Sequence, residues 1–116
     1  MRRLLRAAVN SWKGLLAAAR SEAAFRQELA LLVLSVPLAL LITSDPWKRV
    51  SLIAVVLAVL VVELLNTAIE KLADHLTTGT SPGIGRIKDM GSAAALLALV
   101  IAGLVWLTAA AERFLQ

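Results

Sequence analysis

Glu63, Asn66 and Glu70 stand at i, i+3 and i+7, so on a helix they form one stripe, with Thr67 and Asp74 beside it. The stripe begins inside an aliphatic run. A carboxylate set among such residues is costly in hydrocarbon and belongs against protein or a hydrated cavity, where it can accept a proton or hold an ion. The quieter alternative is a protonated Glu63 bonding a hydroxyl or amide across a helix interface. Glu22 and Glu28, six residues apart, flank the start of the preceding apolar run at the expected depth of Glu70, and on one helix they would project in different directions. Carboxylates gathered at one level, in a chain with one histidine and no cysteine, suit a hard cation such as magnesium better than zinc. A third group, Gly85-Arg86-Ile87-Lys88-Asp89-Met90-Gly91-Ser92, offers Arg86 and Lys88 to phosphate oxygens, although basic residues beside a helix end also follow from membrane topology alone. There is no Walker loop, Gly83-Ile84-Gly85 lacks the third glycine of a dinucleotide turn, and His75 reads as a surface residue.

These residues need elements to hold them, and composition says what kind. Of 116 residues, 59% are hydrophobic and 17% charged, and the mean hydropathy is +0.82. So small a body cannot hide that much apolar surface from water, so lipid is the expected solvent. A disordered tail and an ordinary water-soluble enzyme are both poor readings. Twelve Lys and Arg against eight Asp and Glu leave a formal charge of +4, but no basic stretch carries the interleaved aromatics of a nucleic-acid platform. The absence of cysteine excludes disulfides, thiolate metal sites and cysteine nucleophiles.

Apolar periodicity predicts spans over about 23–44, 46–74 and 90–112. Pro37 lies inside the first and is expected to kink it, while Asp45-Pro46 is a cap followed by a first-turn proline that starts the second. Residues 77–85, whose glycines and proline break the pattern, predict a loop before the third. Over about 2–20, Leu4, Leu5, Ala8, Trp12, Leu15, Leu16 and Ala19 fall on one arc, with Arg2, Arg6, Lys13 and Arg20 opposite, which predicts a helix lying in the membrane surface; an organellar transit peptide is the competing reading. Arg2, Arg3, Arg6, Lys13, Arg20, Arg26, Lys71, Arg86 and Lys88 fall on one side of three spans, against Lys48, Arg49 and Arg113 on the other, so the N-terminus is expected in the cytoplasm. Trp47 and Trp106 are expected near the outer interface. Glu63 then lies roughly 10 Å below the cytoplasmic boundary at 1.5 Å per residue.

The run Glu63-Leu-Leu-Asn-Thr-Ala-Ile-Glu70 resembles the signature of the prokaryotic diacylglycerol kinase family, small membrane kinases that include undecaprenol kinases. Ser11-Trp12-Lys13-Gly14, Glu22-Ala-Ala-Phe-Arg-Gln-Glu28 and Gly85-Arg-Ile-Lys-Asp-Met-Gly-Ser-Ala93 extend the resemblance over nearly the whole chain. It implies an all-α membrane protein, with one amphipathic surface helix and three transmembrane helices per subunit, assembled as a homotrimeric bundle in a bacterial inner membrane. The implied activity is ATP-dependent phosphorylation of diacylglycerol to phosphatidic acid. Glu63 would be the general base with Asn66 positioning groups around it, and Glu22 and Glu70 would hold the Mg2+ that accompanies ATP. Arg3, Asn10, Lys88 and Asp89 would contact the nucleotide. Ser11, Trp12, Arg26, Glu28, Arg49 and Ser92, with Glu63, would line the lipid site or its mouth. Two departures bear on the adenine contacts: the Asn10 position is often aromatic in the family, and Gly79-Thr80-Ser81 lacks the acidic residue and histidine of relatives. Undecaprenol phosphorylation is the near alternative, and a small proton-coupled transporter subunit using Glu63 as proton carrier is the rival from another class.

Overall fold

The computed structural model describes residues 1–76, 79 and 81–115, and the described elements are all helical. Helix α1 spans Arg2–Ser21, α2 Ala23–Ile42, α3 Pro46–Leu76 and α4 Pro82–Phe114. The last three are long and apolar enough to cross a membrane.

Each boundary has a local cause. Glu22 adopts an extended backbone, φ −121° and ψ 114°, so the axis breaks between α1 and α2 at a single residue. Arg26 secures the break by donating from its guanidinium to Ala19 O at 2.8 Å and Arg20 O at 3.3 Å, two carbonyls at the end of α1 that lack helical partners. At the start of α3, Asp45 Oδ1 accepts from Trp47 N at 3.0 Å, and Pro46 occupies the first position, where no donor is needed. The turn before it is tied by Arg49, whose side chain donates to Thr43 O at 2.8 Å and Leu40 O at 3.3 Å. Pro37 lies within α2, which stays helical through Ile42.

Helix α4 starts at Pro82, eight residues before the expected position. Ser81 supplies its cap, accepting from Ile84 N at 3.5 Å, with proline in the first turn. Gly83 and Gly85, expected in a loop over 77–85, are therefore helical; Thr77, Thr78 and Thr80 of that loop lie outside the described residues. The chain accepts the roughly 1 kcal/mol propensity penalty of each helical glycine because cap and proline nucleate the helix just upstream.

Helix α3 is the centre of the structure, with α2 and α4 on either side of it and touching each other little. Its buried residues Leu52, Val59, Leu60, Asn66, Thr67 and Ala73 recur at about seven-residue intervals, the seam spacing of near-parallel helices. Contacts with α4 follow one antiparallel register: Asp74 with Lys88, Asn66 with Gly91, Leu52 with Trp106, Lys48 with Glu112. Trp106 Nε1 donates to Leu52 O at 3.0 Å, so its ring sits between helices while Trp47 is exposed at the end of the bundle.

The result is a slab of 54 × 41 × 21 Å with a radius of gyration of 17.2 Å, against about 13 Å for a compact chain of this length. Its faces expose Leu31, Val33, Leu41, Leu57, Val61, Leu97 and Leu104, as expected where lipid is the solvent. Helix α1 leaves most of its apolar face uncovered, with Leu4 69% and Trp12 63% exposed. Only its C-terminal end joins the core, where Ala18 packs with Phe25 and Leu60.

Candidate active site

The α1–α2 break, the last third of α3 and the first turns of α4 meet at one end of the slab. Glu22 sits on the break itself rather than on a helix with Glu28, so the two carboxylates are not bound by helical spacing. Glu28 and Glu63 are close enough to repel each other, and Glu63 also feels Glu22 and Glu70. Three carboxylates, from the α1–α2 break, α2 and α3, are thus collected around the half-buried Glu63. Glu63 accepts no hydrogen bond among the described residues, whereas its stripe partner Asn66 is buried and donates from Nδ2 to Glu70 Oε1 at 3.4 Å.

Asn66 is confined from the other side by Gly91 of α4. A Cβ built on Gly91 would overlap Asn66 Oδ1 and stand 3.2 Å from Asn66 Cγ. Asn66 Oδ1 is buried without a hydrogen-bond partner among the described residues, as is Glu28 Oε2. Buried orphan acceptors of this kind cost about 1–3 kcal/mol each and mark places where a donor is wanted.

Two lysines complete the charge pattern. Lys71 Nζ stands 3.5 Å from Glu22 Oε1 and Lys88 Nζ 2.5 Å from Asp74 Oδ1, both pairs solvent-accessible. Lys71 was predicted only as a cytoplasmic-side cation; its place one residue after Glu70 was the available signal that it shares the level of the carboxylates. Gly91 permits close approach of α4 to α3, and the side chain it admits is that of Asn66. The small residues of α4 otherwise divide: Ala98 is buried against the bundle, Ala94 is exposed, and a Cβ at Gly103 would meet nothing within 4 Å.

Of the other predicted residues, Ser11 lines a cleft of about 470 Å³ between α1 and α3, together with Gly14, Ala18, Leu64, Thr67 and Lys71. Trp12 is exposed beside it, and Arg3 and Asn10 are exposed farther along α1. Asp89 and Ser92 are exposed on α4, flanking the turn that carries Gly91. Arg26 is engaged with the carbonyls of α1. Arg49 lies at the opposite end of the bundle, 14 residues and about 21 Å along α3 from Glu63.

Among the described residues no three carboxylates or histidines stand close enough to enclose a metal ion. The oxygen donors of Glu22 and Glu70 nonetheless fit magnesium in its usual manner, bound by one or two carboxylates with phosphate oxygens and water completing the shell.

A multi-pass membrane protein with Glu22, Glu28, Glu63, Glu70, Lys71 and Lys88 gathered toward one end of three spans is the class that the fold and site define. Residues 9–110 match the family described as prokaryotic diacylglycerol kinase. The chain belongs to that family. It is 46% identical over 104 residues to the diacylglycerol kinase of Escherichia coli strain K12, covering 90% of this chain and 85% of the relative. Against the diacylglycerol kinase of Pseudomonas aeruginosa the identity is 44% over 108 residues, covering 93% and 88%. Against that of Helicobacter pylori strain J99 it is 35% over 105 residues, covering 90% and 82%.

Proposed function

We propose that the protein phosphorylates diacylglycerol with ATP at the cytoplasmic face of a bacterial inner membrane, releasing phosphatidic acid and ADP. The carrying observation is Glu63: a carboxylate within a membrane-spanning helix, without a hydrogen bond among the described residues and set among Glu22, Glu28 and Glu70. The lipid hydroxyl would enter beside Glu63, which takes its proton as the oxygen bonds to the γ-phosphorus and the bond to the ADP oxygen breaks. Asn66, held between Glu70 and Gly91, fixes the geometry around that transfer. Lys88, near the water, would meet the phosphates, with Asp89 beside it and Arg3 and Asn10 supplied from a surface helix. Mg2+ held by Glu22 and Glu70 would neutralise phosphate charge. Ser11, Trp12, Arg26, Glu28 and Ser92 would border the lipid entrance.

The assembly proposed is a homotrimer. A 21 Å thick slab with two long apolar flanks leaves the site open on its sides, and Arg3, about 27 Å along α1 from Ser21, lies too far out to serve its own chain's carboxylates. The N-terminus would lie in the cytoplasm, a reading supported by the excess of Lys and Arg at the carboxylate end.

Purified protein in mixed micelles with labelled ATP should phosphorylate diacylglycerol in preference to undecaprenol when both are offered. Glu63→Gln should lower turnover by about 10²–10⁴-fold, the usual contribution of a general base, while the oligomer persists. Normal turnover in that variant would remove the proposed base.

A further inference from the structure

Helix α1 carries a row of charge that the proposed reaction leaves unused. At 100° per residue Arg2, Arg6, Lys13 and Arg20 fall within about 40° of one another, in a line about 27 Å long. All four are exposed and none is paired with an acid among the described residues; the first acidic residue of the chain is Glu22. The row lies about 145° around the helix from Ala18, which packs with Phe25 and Leu60, so it faces away from the bundle. It also lies about 115° from the centre of the apolar arc that holds Leu4 and Trp12. With that arc sunk into the leaflet, long basic side chains on its flank reach the head groups.

Two features say which head group. Three of the four cations are arginines, whose planar fork pairs bidentately with phosphate; a phosphate monoester carries about −1.5 to −2 at pH 7, where a phosphodiester carries a single charge. The row also ends at Arg20, two residues before Glu22, so a lipid phosphorylated at the carboxylates is released beside it. Only the C-terminal end of α1 joins the core, and the surface under the rest of the helix therefore decides where Ser11 and its side of the cleft stand relative to α3.

We propose that the cationic row of α1 binds phosphatidic acid in the cytoplasmic leaflet, and that the kinase is thereby activated by its own product. The proposal rests on the kinase reading and extends it to regulation. Phosphatidic acid collecting under α1 holds the helix against the leaflet and steadies the wall that Ser11 and Gly14 give to the cleft.

The chain has no cysteine, so a single Leu5→Cys on the exposed apolar arc can carry an environment-sensitive fluorophore in the intact protein. In phosphatidylcholine vesicles without nucleotide, its emission should shift to the blue as phosphatidic acid is added, saturating at a several-fold lower mole fraction than with phosphatidylglycerol. Each cation beside an anionic surface is worth about fivefold in affinity, so Arg2→Gln with Arg20→Gln should raise the midpoint about tenfold or more. High salt should raise it likewise by screening the exposed charges. Arg2→Lys with Arg6→Lys and Arg20→Lys keeps the charge without the fork and should bring the midpoints for the two lipids together. With ATP and diacylglycerol, vesicles that start without phosphatidic acid should show a rate that climbs severalfold as product accumulates, and phosphatidic acid added beforehand should remove the climb. Arg2→Gln with Arg20→Gln should start at the parental rate and stay there. Equal midpoints for both lipids in the parental protein would make α1 a general anionic-surface helix and overturn the proposal. A midpoint unmoved by Arg2→Gln with Arg20→Gln, or a rate that does not climb, would overturn it too. Preferential binding of phosphatidic acid without phosphorylation of diacylglycerol would sink the kinase reading and the activation with it, leaving the row as a phosphatidic acid site.

Discussion

Gly91 of α4 lies so close to Asn66 of α3 that no Cβ fits between them, and the pinned amide of Asn66 reaches Glu70 at 3.4 Å. A backbone without a side chain on one helix thereby sets the position of a polar side chain on another, in the stripe that carries Glu63.

Gly91→Ala should displace Asn66 and lower turnover by on the order of 10²-fold, the effect of a shift of about 1 Å near a reacting centre. Overpacking should also destabilise the fold by about 1–3 kcal/mol. In an Asn66→Ala background, where the obstructing amide is absent, Gly91→Ala should have almost no further effect on kcat. A double-mutant cycle of kcat and SDS unfolding checks this; additive losses would show that Gly91 acts elsewhere.

The Glu22–Lys71 pair separates a structural role from a ligand role. An accessible ion pair contributes only about 0.2–1 kcal/mol, so Lys71→Met should change stability and activity little. Glu22→Gln should raise the magnesium concentration needed for half-maximal rate. The charge swap Glu22→Lys with Lys71→Glu should restore stability but not activity. Recovery of activity by the swap would mean that Glu22 serves the pair alone.

Lys88 presents the opposite case, a cation held by a competing carboxylate. Lys88→Met should raise the KM for ATP about tenfold to a hundredfold, as expected for losing a charged hydrogen bond of about 1.5–3 kcal/mol. Asp74→Asn frees the same ammonium and should leave that KM unchanged or lower it. Steady-state kinetics at two ionic strengths checks both, since salt screens the exposed Lys88–Asp74 pair.

At the far end of the bundle, Asp45→Ala removes the acceptor for Trp47 N and should cost about 1 kcal/mol of stability with kcat and KM unchanged. SDS titration alongside the kinase assay distinguishes this from any effect at the site.

Much of this architecture was legible along the chain. Asp45-Pro46 announced the start of α3 and the aliphatic runs announced the spans, because a helix in lipid must satisfy its own backbone and so leaves a one-dimensional trace. The Glu63, Asn66, Glu70 stripe was equally visible, being set by the 3.6-residue period. Residues 82–85 read differently in the sequence because glycines ordinarily mark loops, whereas the Ser81 cap and Pro82 start a helix through them. The bounds of about 2–20 and 23–44 left Glu22 between two elements, yet its direction relative to Glu28 was read as if both shared one helix, because the extended backbone at that single residue has no local signature.

The sequence by itself determined the three apolar spans and the family, since hydropathy, periodicity and motif are properties of a single chain. Tertiary structure alone decided that Glu22, Glu28 and Glu70 gather around Glu63, that Gly91 holds Asn66, and that a cleft runs from Glu28 to Trp106. Each of these depends on how one helix slides and rotates against another, and that register follows from the packing of side chains across the interface.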